Sequence, residues 1–156
     1  MNDVDILKKI EKKVLWLACW MIHNANHIRE NQDGLKVGGH QASSASIVSI
    51  MTALYFNILR PEDRVAVKPH ASPVFHAIQY LSGLQTKEKI ENFRGFGGAQ
   101  SYPSRTKDID DVDISTGSVG LGVAMTSFIS LIQDYVARKN FYENKPLGRM
   151  IALVGD

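Results

Sequence analysis

The sequence has few of the features that mark secreted, membrane-spanning and nucleic-acid-binding proteins. Its 156 residues include one cysteine, Cys19, so neither an intrachain disulfide nor a cysteine-based metal site can form. The apolar stretch 14–22 is too short to cross a bilayer. The 18 basic and 16 acidic residues are spread along the chain and lack the clustered positive charge that binds nucleic acid. These absences predict a cytoplasmic protein that uses neither a membrane nor nucleic acid.

The apolar residues that are present predict an α/β domain. A hydrophobic fraction of 44% is enough for a folded core. Apolar spacing and turn residues predict five helices and two strands. The predicted helices cover 4–29, 43–57, a segment starting at Ser72, 86–93 and a long segment ending near 139; the strands cover 64–68 and 149–154. The second strand has the continuous apolar character of a parallel strand buried on both faces.

The segment 94–113 shows no sustained period. Loops of this length inside a compact domain are usually functional or mobile. The segment carries four acidic residues, Asp108, Asp110, Asp111 and Asp113. Their spacing is not that of a calcium loop, and we expect a solvated loop.

Two histidines and one aspartate stand where an α/β fold places its ligands. His40 follows a double glycine, His70 follows the first predicted strand, and Asp156 follows the second. Ligands in such folds bind beyond the carboxyl ends of the strands. There the histidines would donate hydrogen bonds or transfer protons, and Asp156 would hold a divalent metal. A structural role for a lone turn histidine, and a simple turn at Asp156, stay open.

Two further patterns have a structural and a functional interpretation. The turn 116–122, with its Gly-x-x-Gly-x-Gly order, opens a helix and would present free amides to a phosphate or a polar heterocycle. Its glycine order is not the Rossmann fingerprint, and a tight packing turn is the alternative. His23 and His27 have the spacing of a metal-binding pair. No third ligand supports that site, so a packed or solvated face is favoured.

Separate motifs line up in the order found in one superfamily. They are Gly38-Gly39-His40-Gln41-Ala42-Ser43-Ser44, Lys68-Pro69-His70-Ala71-Ser72-Pro73, Asn92-Phe93-Arg94 with Ser101-Tyr102-Pro103, Thr116-Gly117-Ser118-Val119-Gly120-Leu121-Gly122, and Val154-Gly155-Asp156. Together, over residues 34–156, they resemble the transketolase-like thiamine diphosphate enzymes. Within that superfamily they are most similar to the homodimeric type of pyruvate dehydrogenase decarboxylating component.

The resemblance implies a fold and a set of site residues. It makes 1–156 an incomplete diphosphate-binding domain, a partial parallel sheet with flanking helices, for thiamine diphosphate and Mg²⁺. The implied catalytic residues are His40, His70 and Tyr102. The implied cofactor-binding residues are Ser43, Gly117, Val119 and Gly155, and the implied metal ligand is Asp156.

The resemblance also implies an activity that this chain would share with other parts of a parent enzyme. The parent would decarboxylate pyruvate or a related 2-oxo acid and transfer the two-carbon unit, as a homo-oligomer. The rest of its magnesium site and its pyrimidine-binding domain are not among these residues, so we expect the fragment alone to be inactive. Lys68 stands where the pyruvate enzymes carry glutamine, and Gln41 where many relatives carry proline. Transketolase chemistry on a sugar phosphate therefore stays open, as do a non-catalytic binding module and, more weakly, a Rossmann nucleotide-binding domain.

Overall fold

A computed structural model describes residues 3–30, 34–117, 119–141 and 146–155. Six helices and two strands are assigned within these ranges. They are α1 (Asp3–His23), α2 (Gln41–Ala45), α3 (Val48–Ala53), β1 (Arg64–Ala66), α4 (Ser72–Leu81), α5 (Lys87–Glu91), α6 (Leu121–Arg138) and β2 (Met150–Ala152). None of the described helices combines the length and the apolar character that a membrane span requires. The α/β class predicted from the sequence is confirmed, since the described residues form helices and a two-stranded parallel sheet.

The predicted N-terminal helix is confirmed, because α1 continues into a π-helical turn, Asn24–Ile28. The next predicted helix, 43–57, is interrupted. It forms α2, α3 and a π-helical turn, Leu54–Ile58. Ser46 Oγ donates a hydrogen bond to the Ser43 carbonyl at 3.1 Å, and serine side chains that bond to the local backbone compete with helix continuation.

Helix α4 lies at the centre of the domain. A 3₁₀ turn, Pro69–Ala71, leads into it, and Pro73 occupies its first turn, where a missing N–H costs nothing. The core is formed mainly by α1, α3, α4 and β1. Helix α5 begins as predicted, since Thr86 Oγ1 accepts a hydrogen bond from the Lys89 amide at 3.3 Å.

The two strands form a parallel sheet. Val65 pairs with Ile151, and a single parallel bridge joins Ala66 to Ile114 on the other side of β1. Both strands are shorter than predicted. The expectation that the second strand is buried on both faces is wrong for β2, whose residues are all partly exposed. Within the described residues β2 has one strand neighbour, β1, and α6 covers it only in part.

An ion pair joins the approaches to the two strands. Arg149 pairs with Asp63, whose side chain is fully buried. The Arg149 amide also donates to Asp63 Oδ1 at 2.7 Å. These hydrogen bonds, the side-chain one foremost, hold the pKa of Asp63 well below its ordinary value. The pair fixes the entry of β2 beside that of β1.

Candidate functional site

The carboxyl ends of the two strands open into a cavity of about 430 Å³. Its walls come from the ends of β1 and β2 and from the turn before α6. We call it the glycine cleft, and its lining includes Lys68, His70, Gly117, Val119, Gly122 and Gly155. This is the edge at which α/β proteins bind their ligands. Four of the sequence-predicted site residues, His70, Gly117, Val119 and Gly155, therefore lie around one cavity.

The turn that leads into α6 is held in an unusual backbone conformation. Val119 has a φ of 64° and Gly120 a φ of 79°, and a β-branched residue is a clear outlier there. Thr116 Oγ1 anchors the turn by donating to the Val67 carbonyl at 2.7 Å. A β-carbon on Gly122 would lie 3.3 Å from that of Ala66, so the glycine lets α6 start close to β1. The first amides of α6 have no intrahelical hydrogen-bond acceptor, and they lie at the positive end of the helix dipole.

A second cavity, of about 530 Å³, adjoins the first. We call it the histidine cleft. Its lining includes Lys36, His40, Ser43, His70, Arg94 and Tyr102. Pro69 and His70 line both cavities, so the two clefts share a wall.

The double glycine positions His40 on the rim of the histidine cleft. Asn26 binds both glycines: its Oδ1 accepts from the Gly38 amide at 2.6 Å, and its Nδ2 donates to the Gly39 carbonyl at 3.1 Å. A side chain at Gly38 would overlap the Ile22 carbonyl. The turn is therefore locked against α1, and His40 follows it immediately as the residue before α2.

His40 and His70 are exposed and keep their ring nitrogens available. Within the described ranges, neither imidazole hydrogen-bonds to protein. Tyr102 is about half exposed on the same cleft. The prediction for Asp156 lies outside the described residues. The other seven predicted residues line the two adjoining clefts, and of them only His70 lines both. Their roles stay predictions.

The loop behind Tyr102 is fixed by a buried pair that the sequence analysis missed. His76 of α4 hydrogen-bonds through Nδ1 to Asp110, and through Nε2 to the Gln100 carbonyl at 2.7 Å. A carbonyl oxygen only accepts, so Nε2 carries a proton. Gln85 donates to the other oxygen of Asp110. The network ties the segment that carries Tyr102 to the most buried helix.

The expectation that the acidic segment is a solvated loop is wrong. Asp110 is buried beside His76. Asp108 accepts hydrogen bonds from the amides of Gln100 and Ser104, and Asp113 accepts one from the Val65 amide of β1. Burial raises the pKa of Asp113, and that hydrogen bond opposes the rise. Asp108 thus organises the loop by binding its backbone, whereas Asp110 and Asp113 tie the loop to α4 and β1.

His23 and His27 lie side by side on an exposed face where α1 continues into its π-helical turn, in agreement with the predicted solvated face. The two ring centroids are 5.0 Å apart. No group of three or more metal-ligating side chains occurs in the part of the chain that the structure describes.

Arg94 is the other residue whose role the sequence analysis left unassigned. It lies on the histidine cleft with a φ of 61°, and its Nη1 donates to the Val37 carbonyl at 2.6 Å. Burial lowers the pKa of its guanidinium, and the nearby Tyr102 acts in the opposite direction. Its presence in a family motif was the only signal in the sequence, and that signal did not indicate a role.

Comparison with known proteins gives relatives of one kind. The chain matches no protein-family model. It is 30% identical over 152 residues to the pyruvate dehydrogenase E1 component of Mycobacterium tuberculosis, a match that covers 90% of this chain and 15% of the relative. The Pseudomonas aeruginosa component is 30% identical over 149 residues, covering 90% and 16%. The Haemophilus influenzae component is 25% identical over 164 residues, covering 99% and 18%.

These relatives agree with the resemblance inferred from the motifs. The alignments include nearly all of this chain but less than a fifth of each of these three relatives. By sequence, the chain is therefore a relative of the pyruvate dehydrogenase E1 component, and it corresponds to about 15% of that component's length.

Proposed function

We propose that this chain is the diphosphate-binding part of a thiamine diphosphate enzyme whose parent decarboxylates pyruvate or a related 2-oxo acid. One observation carries the proposal. His70 stands on the wall shared by the glycine cleft and the histidine cleft. A cofactor in the first cleft and a substrate in the second would therefore meet beside one imidazole.

The residues of the glycine cleft fit the proposed cofactor. Its volume of about 430 Å³ is in the range of small-molecule sites. The free amides at the start of α6 suit an anionic or polar group. Gly117, Gly120 and Gly122 leave part of its wall without side chains. Gly117 and Val119 would offer their backbone carbonyl and amide to the aminopyrimidine, and Gly155 with Asp156 would carry the diphosphate and Mg²⁺.

The histidine cleft supplies groups for proton transfer. When bound, thiamine diphosphate supplies the electron sink that decarboxylation requires. His40 and His70 would donate protons to the carbonyl oxygen of the substrate, because their ring nitrogens have no described protein partner. Tyr102 would orient the substrate through its hydroxyl, and Ser43, which also lines the histidine cleft, would contact the cofactor from the substrate side. The His76–Asp110 pair would keep Tyr102 in place.

Calorimetric titration of the chain with thiamine diphosphate and MgCl₂ tests the proposal. We expect binding that needs both components, and a Gly117→Val variant that binds at least about tenfold more weakly. Gly83→Val is the control, because Gly83 lies outside both clefts. Gly83 has a positive φ and Gly117 does not, so the control replacement is the more strained of the two. Equal binding by both variants, or no binding by the unsubstituted chain, would contradict the proposal. Turnover of pyruvate by the isolated chain would contradict the inactivity that we propose for it.

The proposed partners are the remainder of a parent enzyme and a second copy of it. The exposed apolar stripe of α6, formed by Leu121, Met125, Phe128, Ile132 and Tyr135, supports this part of the proposal. Its spacing of four and three residues places these side chains on one helix face. Contiguous apolar surface of this kind is typical of protein contacts.

Transketolase-type transfer on a sugar phosphate is the alternative enzymatic function. The amine of Lys68 lies against Gly155 on the glycine cleft, and it adds positive charge that a phosphate would use. A non-catalytic binding module is the alternative of another class, and the exposed α6 stripe would serve it equally well. A complex with another protein that survives His40→Ala and His70→Ala would identify the binding module.

A further inference from the structure

Arg94 is held rigidly at the wall of the histidine cleft. Its Cζ lies 5.3 Å from the centroid of the Phe93 ring. On another side it packs against Gly39, where a β-carbon would be 3.3 Å from both Nη1 and Nη2. A stacked guanidinium that abuts a glycine has little freedom to rotate. The chain thus keeps this cation in one place.

The hydrogen-bonding capacity of Arg94 is largely unused. A guanidinium has five N–H groups, and one described hydrogen bond, from Nη1 to the Val37 carbonyl, is present. The buried Nε has no partner. Among the described residues, Nη2 makes no hydrogen bond and no carboxylate pairs with the group. A partly buried cation without a counter-charge is costly to a fold.

The other charged side chain among the described residues that line this cleft is also positive. Lys36 lines the cleft together with the imidazoles of His40 and His70, and none of its described lining residues is acidic. Lys36 is exposed and forms no described ion pair. By contrast, the other arginine of this loop region is used structurally. Arg29 Nη1 donates to the Phe93 carbonyl at 2.8 Å and to Asn92 at 3.2 Å, and it lies outside the cleft.

We infer that Arg94, assisted by Lys36, binds the carboxylate of the substrate in the histidine cleft. The fork of a guanidinium matches the two oxygens of a carboxylate. A small anion bound there would lie beside His70, and hence next to the glycine cleft. Binding of an anion rests on this geometry alone, whereas its identity as the substrate rests on the function proposed above.

Titration of the full chain by NMR, without cofactor or metal, tests this inference. The probes are pyruvate, its neutral analogue pyruvamide, and inorganic phosphate. We expect pyruvate to shift the His40 and His70 ring signals with saturation, and pyruvamide to bind at least about tenfold more weakly. Equal binding of pyruvamide would overturn the inference. Tighter binding of phosphate than of pyruvate would overturn the carboxylate assignment and favour a sugar phosphate.

Matched variants separate the binding role of Arg94 from its structural role. We expect Arg94→Gln to weaken pyruvate binding about tenfold or more and Lys36→Gln to weaken it by a smaller factor. Arg29→Gln removes a guanidinium from the same loop region, and it should leave the affinity unchanged. Lys12→Gln makes the same charge change about 15 Å along α1 from Ile22, which lines the cleft, and should also be neutral.

Two results would refute the assignment. One is an unchanged affinity in a folded Arg94→Gln variant, and the other is an equal loss in Arg29→Gln. If Arg94→Gln unfolds, Lys36→Gln decides, because this exposed side chain has no described contact that its loss would break. A chain that binds pyruvate but not thiamine diphosphate would keep the anion site and refute the proposed function.

Discussion

Helices α4 and α6 have similar apolar content but opposite surroundings. Eight of the ten residues of α4 are buried, whereas only Thr126 is buried among the 18 residues of α6, all of which the structure describes. Phe75 of α4 is 1% exposed and Phe128 of α6 is 63% exposed. Apolar periodicity therefore identifies a helix face, but it does not identify what covers that face. The first helix stabilises this chain, whereas the apolar face of the second is exposed in it.

The largest expected effect separates the two phenylalanines. Phe75→Ala should lower the free energy of unfolding by about 3–5 kcal/mol, because it leaves a cavity in the core. Phe128→Ala should change it by less than about 0.5 kcal/mol, as an exposed substitution does. Urea denaturation followed by circular dichroism measures both. Comparable losses would mean that the α6 face is already covered in solution.

The next effect tests the polar side of α4. Asp110→Ala should destabilise the chain by about 3 kcal/mol, since it leaves His76 Nδ1 and Gln85 Nε2 buried without their hydrogen-bond partner. Asp111→Ala is the control, because Asp111 is exposed. The same unfolding measurement compares them. An equally small effect of both would show that the buried pair contributes little, and that apolar packing alone holds α4.

A smaller effect concerns the strands that support α6. The pKa of Asp63 is lowered in the folded chain, so its pairing with Arg149 stabilises the fold fully above the ordinary carboxyl pKa near 4. That contribution is lost as the pH falls through and below this value. As the pH is lowered from 6 to 3, the unfolding free energy of Asp63→Asn should decrease less steeply than that of the unsubstituted chain.

The control for the pH series is Asp5→Asn, which removes a carboxylate on an exposed turn of α1. It should leave the acid slope unchanged. Parallel slopes for the unsubstituted chain and Asp63→Asn would indicate that the ion pair does not contribute to the pH dependence of the unfolding free energy.

The smallest effect on stability is expected for the α6 stripe itself. Replacing Phe128 and Ile132 by lysine should leave the unfolding midpoint nearly unchanged, because both side chains are already exposed. Self-association should decrease, since the apolar patch is broken. Sedimentation velocity over a range of concentrations measures this. Lys12→Phe, which adds an apolar group elsewhere on the surface, serves as a comparison. A strongly destabilised double variant would contradict this expectation, because it would show that the apolar face of α6 packs within the chain.

Local signals in the sequence were sufficient for much of the fold. Pro73 marked the start of α4, Thr86 capped α5, and the glycines after Thr116 preceded α6, because each acts within one helical turn. The break between α2 and α3 was missed, since its cause is a serine side chain that binds the neighbouring backbone. The length of β2 and its exposure depend on which segments pack on it, which apolar composition does not encode.

The candidate site was predicted unevenly. His40, His70 and the glycine turn were found because turn residues and strand ends mark where ligands bind. The link between His76 and Asp110 spans 34 positions and has no local signature, so the acidic segment was misjudged as solvated. Arg94 is distinguished by N–H groups that form no hydrogen bond with the described residues. Only the three-dimensional structure reveals such unpaired groups.

The backbone conformation of Val119 affects how much entropy the turn loses when a ligand binds. Its side chain is 99% exposed, so it contributes almost nothing to packing, yet its positive φ costs on the order of 1–3 kcal/mol. Glycine would remove that penalty, but it would also let the turn visit many shapes. The branched side chain narrows this ensemble, and a ligand that fits the occupied shape loses less entropy on binding. The shape of the turn is thus maintained by a residue whose side chain is almost fully exposed.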